Sequence, residues 1–469
     1  MTADTKKSSE IPDCEYHPNS PSLITPHLST PTHSLYLSNL DDQKFLRFSI
    51  KYLYLYEKGV CVESLKLSLS RILTEYYPLA GRLRATTTLS STTHESSDYQ
   101  KLEVECNGEG ALFAEAFLDL SVIEFLEFCG KPNKSWRKLL YKVDALCFLD
   151  VPPLVIQVTN LRCGGMILCT AINHCLCDGI GTSQFLNAWA HITSNPNSDP
   201  PIQPFHYRHV LKPRTPSKVT FTHPVFTNFT PKIGENGHFA LNKYLQSQPL
   251  VATSITFNPS QILKLKSKIT PSQKCTTFEA LASHTWQAWV KSLNLSHLLN
   301  VKLLFSVNIR KRVKPELPQG YYGNGFVLGC AETTVKDLVT NNLCHGVKLV
   351  QQAKSCLNDD YIRSMIDMLE DKKVRTDLSA TLVISQWSKL GLEDLDFGLG
   401  KPLHMGPVAS DIYCLFLPVA KDPESVRVLV SLPPKSAEKF EFYMTQFLEC
   451  DRNIELNGYH NNDGDMLTY

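Results

Sequence analysis

Asn173-His174-Cys175-Leu176-Cys177-Asp178-Gly179 sets a histidine and an aspartate, three residues between them, where one kind of sequence pattern gives way to another. Upstream, Met166-Ile167-Leu168-Cys169-Thr170-Ala171-Ile172 is a short apolar run entered through Cys163-Gly164-Gly165, which predicts a strand. Downstream, Phe185, Leu186, Trp189 and Ile192 recur at helical spacing and predict an amphipathic helix over 183–192. Gly179, Gly181 and Thr182 fit the tight turn between them. His174 therefore lies on an edge. There, a neutral imidazole can take a proton from a hydroxyl, with the carboxylate nearby to orient it. The competing reading is a capped turn, in which Asp178 bonds backbone amides and His174 is merely exposed. A metal held by His174, Cys175 and Cys177 lacks a second Cys/His cluster to complete a tetrahedral set, so no metal is expected.

The chain around this stretch has 469 residues and 43% hydrophobic content, enough for two or three domains with sizeable cores. Lysine plus arginine number 47 against 46 acidic residues, which removes any general electrostatic case for nucleic acid. Residues 1–18 are polar and carry no signal-like apolar run, and nowhere do eighteen apolar residues follow one another. Secretion and membrane spanning are thus not expected. Fifteen cysteines without regular spacing fit reduced thiols in a cytoplasmic protein better than a disulfide framework. The ending Leu467-Thr468-Tyr469 matches no peroxisomal or endoplasmic-reticulum address. A monomer is expected.

Along the chain, five prolines within residues 1–35 predict an extended lead-in with at most one edge strand. Leu65, Leu69, Ile72, Leu73 and Tyr76 mark a helix stopped at Tyr77-Pro78, and the Ser/Thr-rich 86–97 reads as an exposed loop. Eight prolines without sustained periodicity make 193–235 the best linker candidate, a long crossover between two halves. Beyond it, Phe278, Leu281, Ala282, Thr285 and Trp289 describe a helix. Strands are predicted at 303–307, 380–384, 412–417 and 426–432, and a last helix carries Phe440, Tyr443, Met444 and Phe447. Both halves mix strands and helices irregularly, which favours mixed α/β or α+β over a regular alternating array.

Three further stretches could carry chemistry. Asp396-Phe397-Gly398-Leu399-Gly400-Lys401-Pro402 is a sharp glycine turn without the context of a dinucleotide or phosphate loop. Tyr321-Tyr322-Gly323-Asn324-Gly325 is another turn, preceded by Asn308, Arg310 and Arg312, whose guanidiniums could hold a carboxylate or simply be solvated. Lys264, Lys266 and Lys268 could meet phosphates or form a solvated face.

Taken together, these stretches resemble the plant BAHD acyltransferases. The resemblance rests on His174-x-x-x-Asp178-Gly179 and, more than two hundred residues later, Asp396-Phe397-Gly398-x-Gly400-Lys401-Pro402. Tyr77-Pro78-Leu79-Ala80-Gly81-Arg82 comes before the first of these, and Thr277-Phe278-Glu279-Ala280-Leu281 and Tyr322-Gly323-Asn324 fall between the two, in the family's order. The resemblance implies two chloramphenicol-acetyltransferase-like domains with a solvent channel between them: 1–195 with the histidine motif and 236–469 with the Asp-Phe-Gly motif, joined by a 196–235 crossover. It also implies an acyl-CoA-dependent alcohol O-acyltransferase, with acyl-CoA as co-substrate, an alcohol acceptor and no permanently bound cofactor.

Carried over by position, His174 is implied to be the general base and Trp387, in Ser385-x-Trp387, an oxyanion donor. Asp178 is implied to pair with an arginine, for which Arg310 is the candidate, and Asp396, Gly398 and Gly400 to be structural. Lys264, Lys266 and Thr277 are candidates for the coenzyme phosphates. The chain departs from the family pattern at Leu399, where a tryptophan is usual, and at Asn308-Ile309-Arg310, where the family has Asp-Gly-Arg. Leu399 and the run at 34–43 resemble the coniferyl alcohol acyltransferase branch. N-acylation of an amine or polyamine, and a non-catalytic scaffold in lipid or specialised metabolism, are the alternatives.

Overall fold

The structure is a computed structural model, and it describes residues 10–86, 100–128, 134–228, 248–269, 273–408 and 414–449. The first nine residues, most of the Ser/Thr-rich loop, the later part of the crossover and the chain's last twenty residues lie outside the described residues.

The apolar run before His174 forms the strand Met166–Asn173, buried at every position. It is covered on both edges, by Leu154–Leu161 and Ser49–Tyr56, each antiparallel to it. Alternation then sends successive side chains to opposite faces. Leu168 and Ile172 join Tyr52, Tyr54 and Tyr56 in one core, while Ile167, Cys169 and Ala171 join Leu53 and Leu55 in another. The first core is closed by the helices Val62–Glu75 and Gly179–Ser194 through Leu65, Leu69, Ile72, Phe185, Leu186 and Trp189. Trp189 ties the two helices together, its indole N–H shared between the Leu65 carbonyl at 3.2 Å and Ser68 Oγ at 3.1 Å.

The second half is built around a six-stranded sheet in the order Val251–Phe257, Asp422–Leu432, Cys414–Val419, Thr381–Gln386, Asn300–Asn308, Phe326–Thr334. Thr381–Gln386 pairs in parallel with both neighbours. The helix Thr277–Leu293 is apolar around most of its circumference and accordingly lies buried against this sheet and the helices Leu343–Ser355 and Pro434–Glu449. Its start is held by a capping box between Thr276 and Glu279. The predicted strands and helices of this half are present among the described residues, positions 412–413 of the strand predicted at 412–417 lying outside them, and the mixed α/β expectation holds.

Several local expectations need correction. The lead-in contributes three short strands, Glu15–Tyr16, Ser22–Ile24 and His33–Tyr36, because each finds an edge of Ala111–Leu118 or Leu102–Cys106 to pair with. The helix after His174 starts at Gly179, not 183, since Asp178 caps it and overrides the glycines' low helical propensity. After Glu75 the chain continues through Pro78 as the 3₁₀ turn Tyr77–Ala80.

One strand crosses between the halves. His404–Pro407 leaves the second half and pairs antiparallel with Ser49–Tyr56 at the edge of the first sheet. The segments 1–195 and 236–469 therefore describe chain order, while the first sheet draws on both.

Candidate active site

Three elements meet at His174. The residue follows the last ladder pair, Ser49 with Asn173, and its backbone N–H donates to the Phe48 carbonyl at 2.9 Å. Asn173 Oδ1 accepts from Cys175 N at 3.0 Å and turns the chain sharply. The turn ends at Asp178, whose Oδ1 accepts the Gly181 N–H at 2.8 Å as the helix cap. Strand end and helix cap together explain the spacing of the two residues.

The His174 ring is flanked by Phe48 at 5.2 Å and Phe326 at 5.9 Å between ring centroids, one phenylalanine from each half of the chain. Burial is the largest influence on the imidazole and pushes its pKa below the usual value. Its own backbone carbonyl, Asp178, the Asn324 side chain and Asp41 pull the other way without reversing the direction. The ring is thus held neutral near pH 7, the form that accepts a proton.

Asp178 reaches into the second half. Arg310 Nη1 donates to its Oδ2 at 2.8 Å and Nη2 to its Oδ1 at 3.0 Å, a fork against a carboxylate. Gly325 N adds a third contact to Oδ2 at 3.0 Å. The same guanidinium reaches the carbonyls of Tyr321 and Gly323. With both oxygens occupied by amide and guanidinium donors, Asp178 is an anchor between the halves.

Trp387 follows directly on the strand Thr381–Gln386 and is brought beside the same turn. An added Cβ on Gly179 would lie 3.9 Å from its ring. The indole stacks on Tyr52, with centroids 5.1 Å apart and planes 7° from parallel. Its N–H donates to Ser385 Oγ at 3.1 Å. Tyr52 Oη and the neighbouring Tyr54 Oη are buried with no hydrogen-bond partner.

Asp396 lies apart from this chemistry. Its Oδ1 accepts from Gly398 N at 2.7 Å and Gly400 N at 2.9 Å, closing a turn in which both glycines have positive φ, 103° and 115°. Phe397 is the buried member and packs on Trp189 and Tyr56. Leu399 points outward and is 52% exposed.

Lys264 and Lys266 lie on the helix Pro259–Ser267, and Thr277 is the first residue of the adjoining Thr277–Leu293. Lys264 Nζ donates to the Leu448 carbonyl at 3.3 Å, toward the last helix rather than toward the turn.

Three residues at the site carried no assigned role in the sequence. Asn324 Nδ2 donates to the His174 carbonyl at 2.7 Å, while Asp41 and Arg208 pack behind it. Asn324 and Asp41 stood inside stretches already singled out. Arg208 sits in the proline-rich crossover, where no local pattern marks it.

A family model described as the Transferase family matches residues 19–446. An omega-hydroxypalmitate O-feruloyl transferase of Arabidopsis thaliana is 35% identical over 450 residues, covering 93% of each chain. A fatty alcohol:caffeoyl-CoA acyltransferase of the same plant is 36% identical over 435 residues, 90% of this chain and 96% of that one. The crystal structure of vinorine synthase superposes with a TM-score of 0.69 over 92% of this chain and 98% of its own, at 19% identity, a likeness of fold. On the strength of the family model and the two near-full-length relatives, the chain belongs to the plant BAHD acyltransferases.

Proposed function

We propose that the chain is an acyl-CoA-dependent alcohol O-acyltransferase in which His174 is the general base. The observation that carries this reading is the placement of His174. It is a neutral imidazole at a strand end, walled by phenylalanines from both halves and braced across them by Asp178 and Arg310. His174 takes the proton of the acceptor hydroxyl as that oxygen attacks the thioester carbonyl. The tetrahedral intermediate then collapses, the C–S bond breaks, and the imidazolium returns its proton to the departing thiolate. The thioester is already activated and both substrates meet in one place, so no acyl-enzyme is required.

Trp387 is the proposed oxyanion donor, together with Ser385. The indole N–H is donated to Ser385 Oγ, which leaves the Ser385 O–H free; Trp387 meets a developing oxyanion by turning its N–H from Ser385 to the substrate oxygen. The channel is proposed to run between 1–195 and 236–469, with acyl-CoA entering from the side of Lys264, Lys266 and Thr277. A cytoplasmic setting is proposed, and no described helix is long and apolar enough to cross a membrane.

For the substrates, the relatives named above point to a hydroxycinnamoyl donor and a long-chain alcohol. The test is a thiol-release assay crossing feruloyl-, caffeoyl-, benzoyl- and acetyl-CoA with hexadecanol, benzyl alcohol, coniferyl alcohol and spermidine. Turnover of an alcohol with a hydroxycinnamoyl thioester supports the whole reading. Turnover of spermidine alone replaces O- by N-acylation, and no turnover with any pair removes the activity.

A further inference from the structure

Against the backbone carbonyls of the His174 turn lies a buried ionic group that the proposed chemistry does not use. Asp41 and Arg208 are both fully buried, with Arg208 Nη1 3.3 Å from Asp41 Oδ1. The same oxygen accepts from the backbone N of Asn324 at 2.9 Å and from its Nδ2 at 3.0 Å. The other oxygen accepts from Ser38 N at 3.0 Å and Ser38 Oγ at 2.6 Å. Asn324 then donates through Nδ2 to the His174 carbonyl at 2.7 Å, and Arg208 through Nη2 to the Leu176 carbonyl at 2.9 Å. Two carbonyls of the five-residue turn are thus gripped from behind.

The three residues come from remote parts of the chain: the run at 34–43, the crossover and the Tyr322-Gly323-Asn324 turn. Their fit leaves no slack. A Cβ on Gly323 would overlap the Arg208 guanidinium, which also lies over the Tyr322 ring at 4.6 Å. A buried ion pair adds little stability over apolar packing of the same volume, because desolvating two charges offsets most of their attraction. What such a group does supply is direction. Its donors accept one arrangement of the carbonyls they hold, and a general base misplaced by about 1 Å can lose on the order of 100-fold in rate.

We infer that Asp41, Arg208 and Asn324 form a positioning unit for His174, and that the crossover enters the active site through Arg208 instead of serving only as a connector. The inference rests on His174 being the base. Asp41 fixes Arg208 and Asn324, and these fix the two carbonyls that set the height and tilt of the imidazole.

The test is a cycle with the base itself, using feruloyl-CoA and hexadecanol or whichever pair the panel above selects. Asn324→Ala, Arg208→Lys, His174→Ala and the doubles with His174→Ala are assayed by thiol release, with Tm recorded for each. Asn324→Ala should lower kcat by about 10- to 100-fold, with both KM values within about threefold. In the His174→Ala background it should change the residual rate by less than about twofold, because groups that act as a unit are not additive. Arg208→Lys keeps the cation but loses the fork, and should behave alike; it carries the test if Asn324→Ala does not fold. A multiplicative further loss in the doubles, or kcat within twofold of the parent in both single variants, overturns the inference. An unimpaired His174→Ala would instead remove the assignment of the base, and this inference with it.

Discussion

Arg310 and Asp178, separated by 132 positions in the chain, share two hydrogen bonds of 2.8 and 3.0 Å, with both side chains largely buried. The pair connects the end of the His174 turn to the segment after the strand Asn300–Asn308. Breaking such a pair strands a charge away from water, which costs about 3–5 kcal/mol. Arg310→Met should therefore lower the unfolding free energy by roughly that amount. It should also lower kcat more than either KM, as the turn loosens. Denaturant melts and steady-state kinetics on the same preparation check both.

The neutral state of His174 sets a pH profile. Burial depresses its pKa, so the acid limb of kcat/KM should fall below pH 6.5, with activity rising as pH increases through the depressed value. Replots of kcat/KM from pH 4.5 to 9 measure it. An acid limb above 6.5 would assign the profile to another group.

Stability has its own acid dependence. Burial pushes His206, His223 and His284 down to about 4 and His404 to about 3. Each is neutral in the folded chain at pH values where the unfolded chain takes up a proton. The unfolded state thus binds more protons between about pH 4 and 6.5, so stability is fully present above 6.5 and declines as pH falls toward 4. Tm measured across that window should drop steadily, and a flat Tm would contradict the neutral assignments.

The Asp396 turn separates architecture from chemistry. Asp396→Ala removes the acceptor of two solvent-exposed backbone N–H groups and should destabilise by about 0.5–1.5 kcal/mol while leaving kcat within a few-fold, provided the protein is folded at the assay temperature. Leu399→Trp restores the residue usual in the family at an exposed position. It should shift stability by less than about 0.5 kcal/mol and leave turnover unchanged. Thermal melts and thiol release compare the two.

What the sequence made legible was local or motif-borne. The apolar run before His174, the helical spacing of Phe185, Leu186 and Trp189, and four of the six strands of the second sheet follow from periodicity over a few residues, whereas its outer strands Val251–Phe257 and Phe326–Thr334 do not stand out in the sequence. The pairing of His404–Pro407 with Ser49–Tyr56 joins segments more than three hundred positions apart, and no local pattern encodes it. Arg208 was equally hidden, because its burial depends on Asp41 and on the absence of a side chain at Gly323. The place of Trp387 in Ser385-x-Trp387 points to a donor and says nothing of what its N–H meets. That its N–H already meets Ser385 Oγ depends on how the strand end twists back over Tyr52.

The measurement that bears most directly on the central claim is the rate of free thiol release by purified His174→Ala beside the parent chain, at matched Tm and with the same thioester and alcohol. A loss of about 100-fold or more, with the fold retained, is the expected result. A rate within a few-fold of the parent would contradict it and move the base elsewhere.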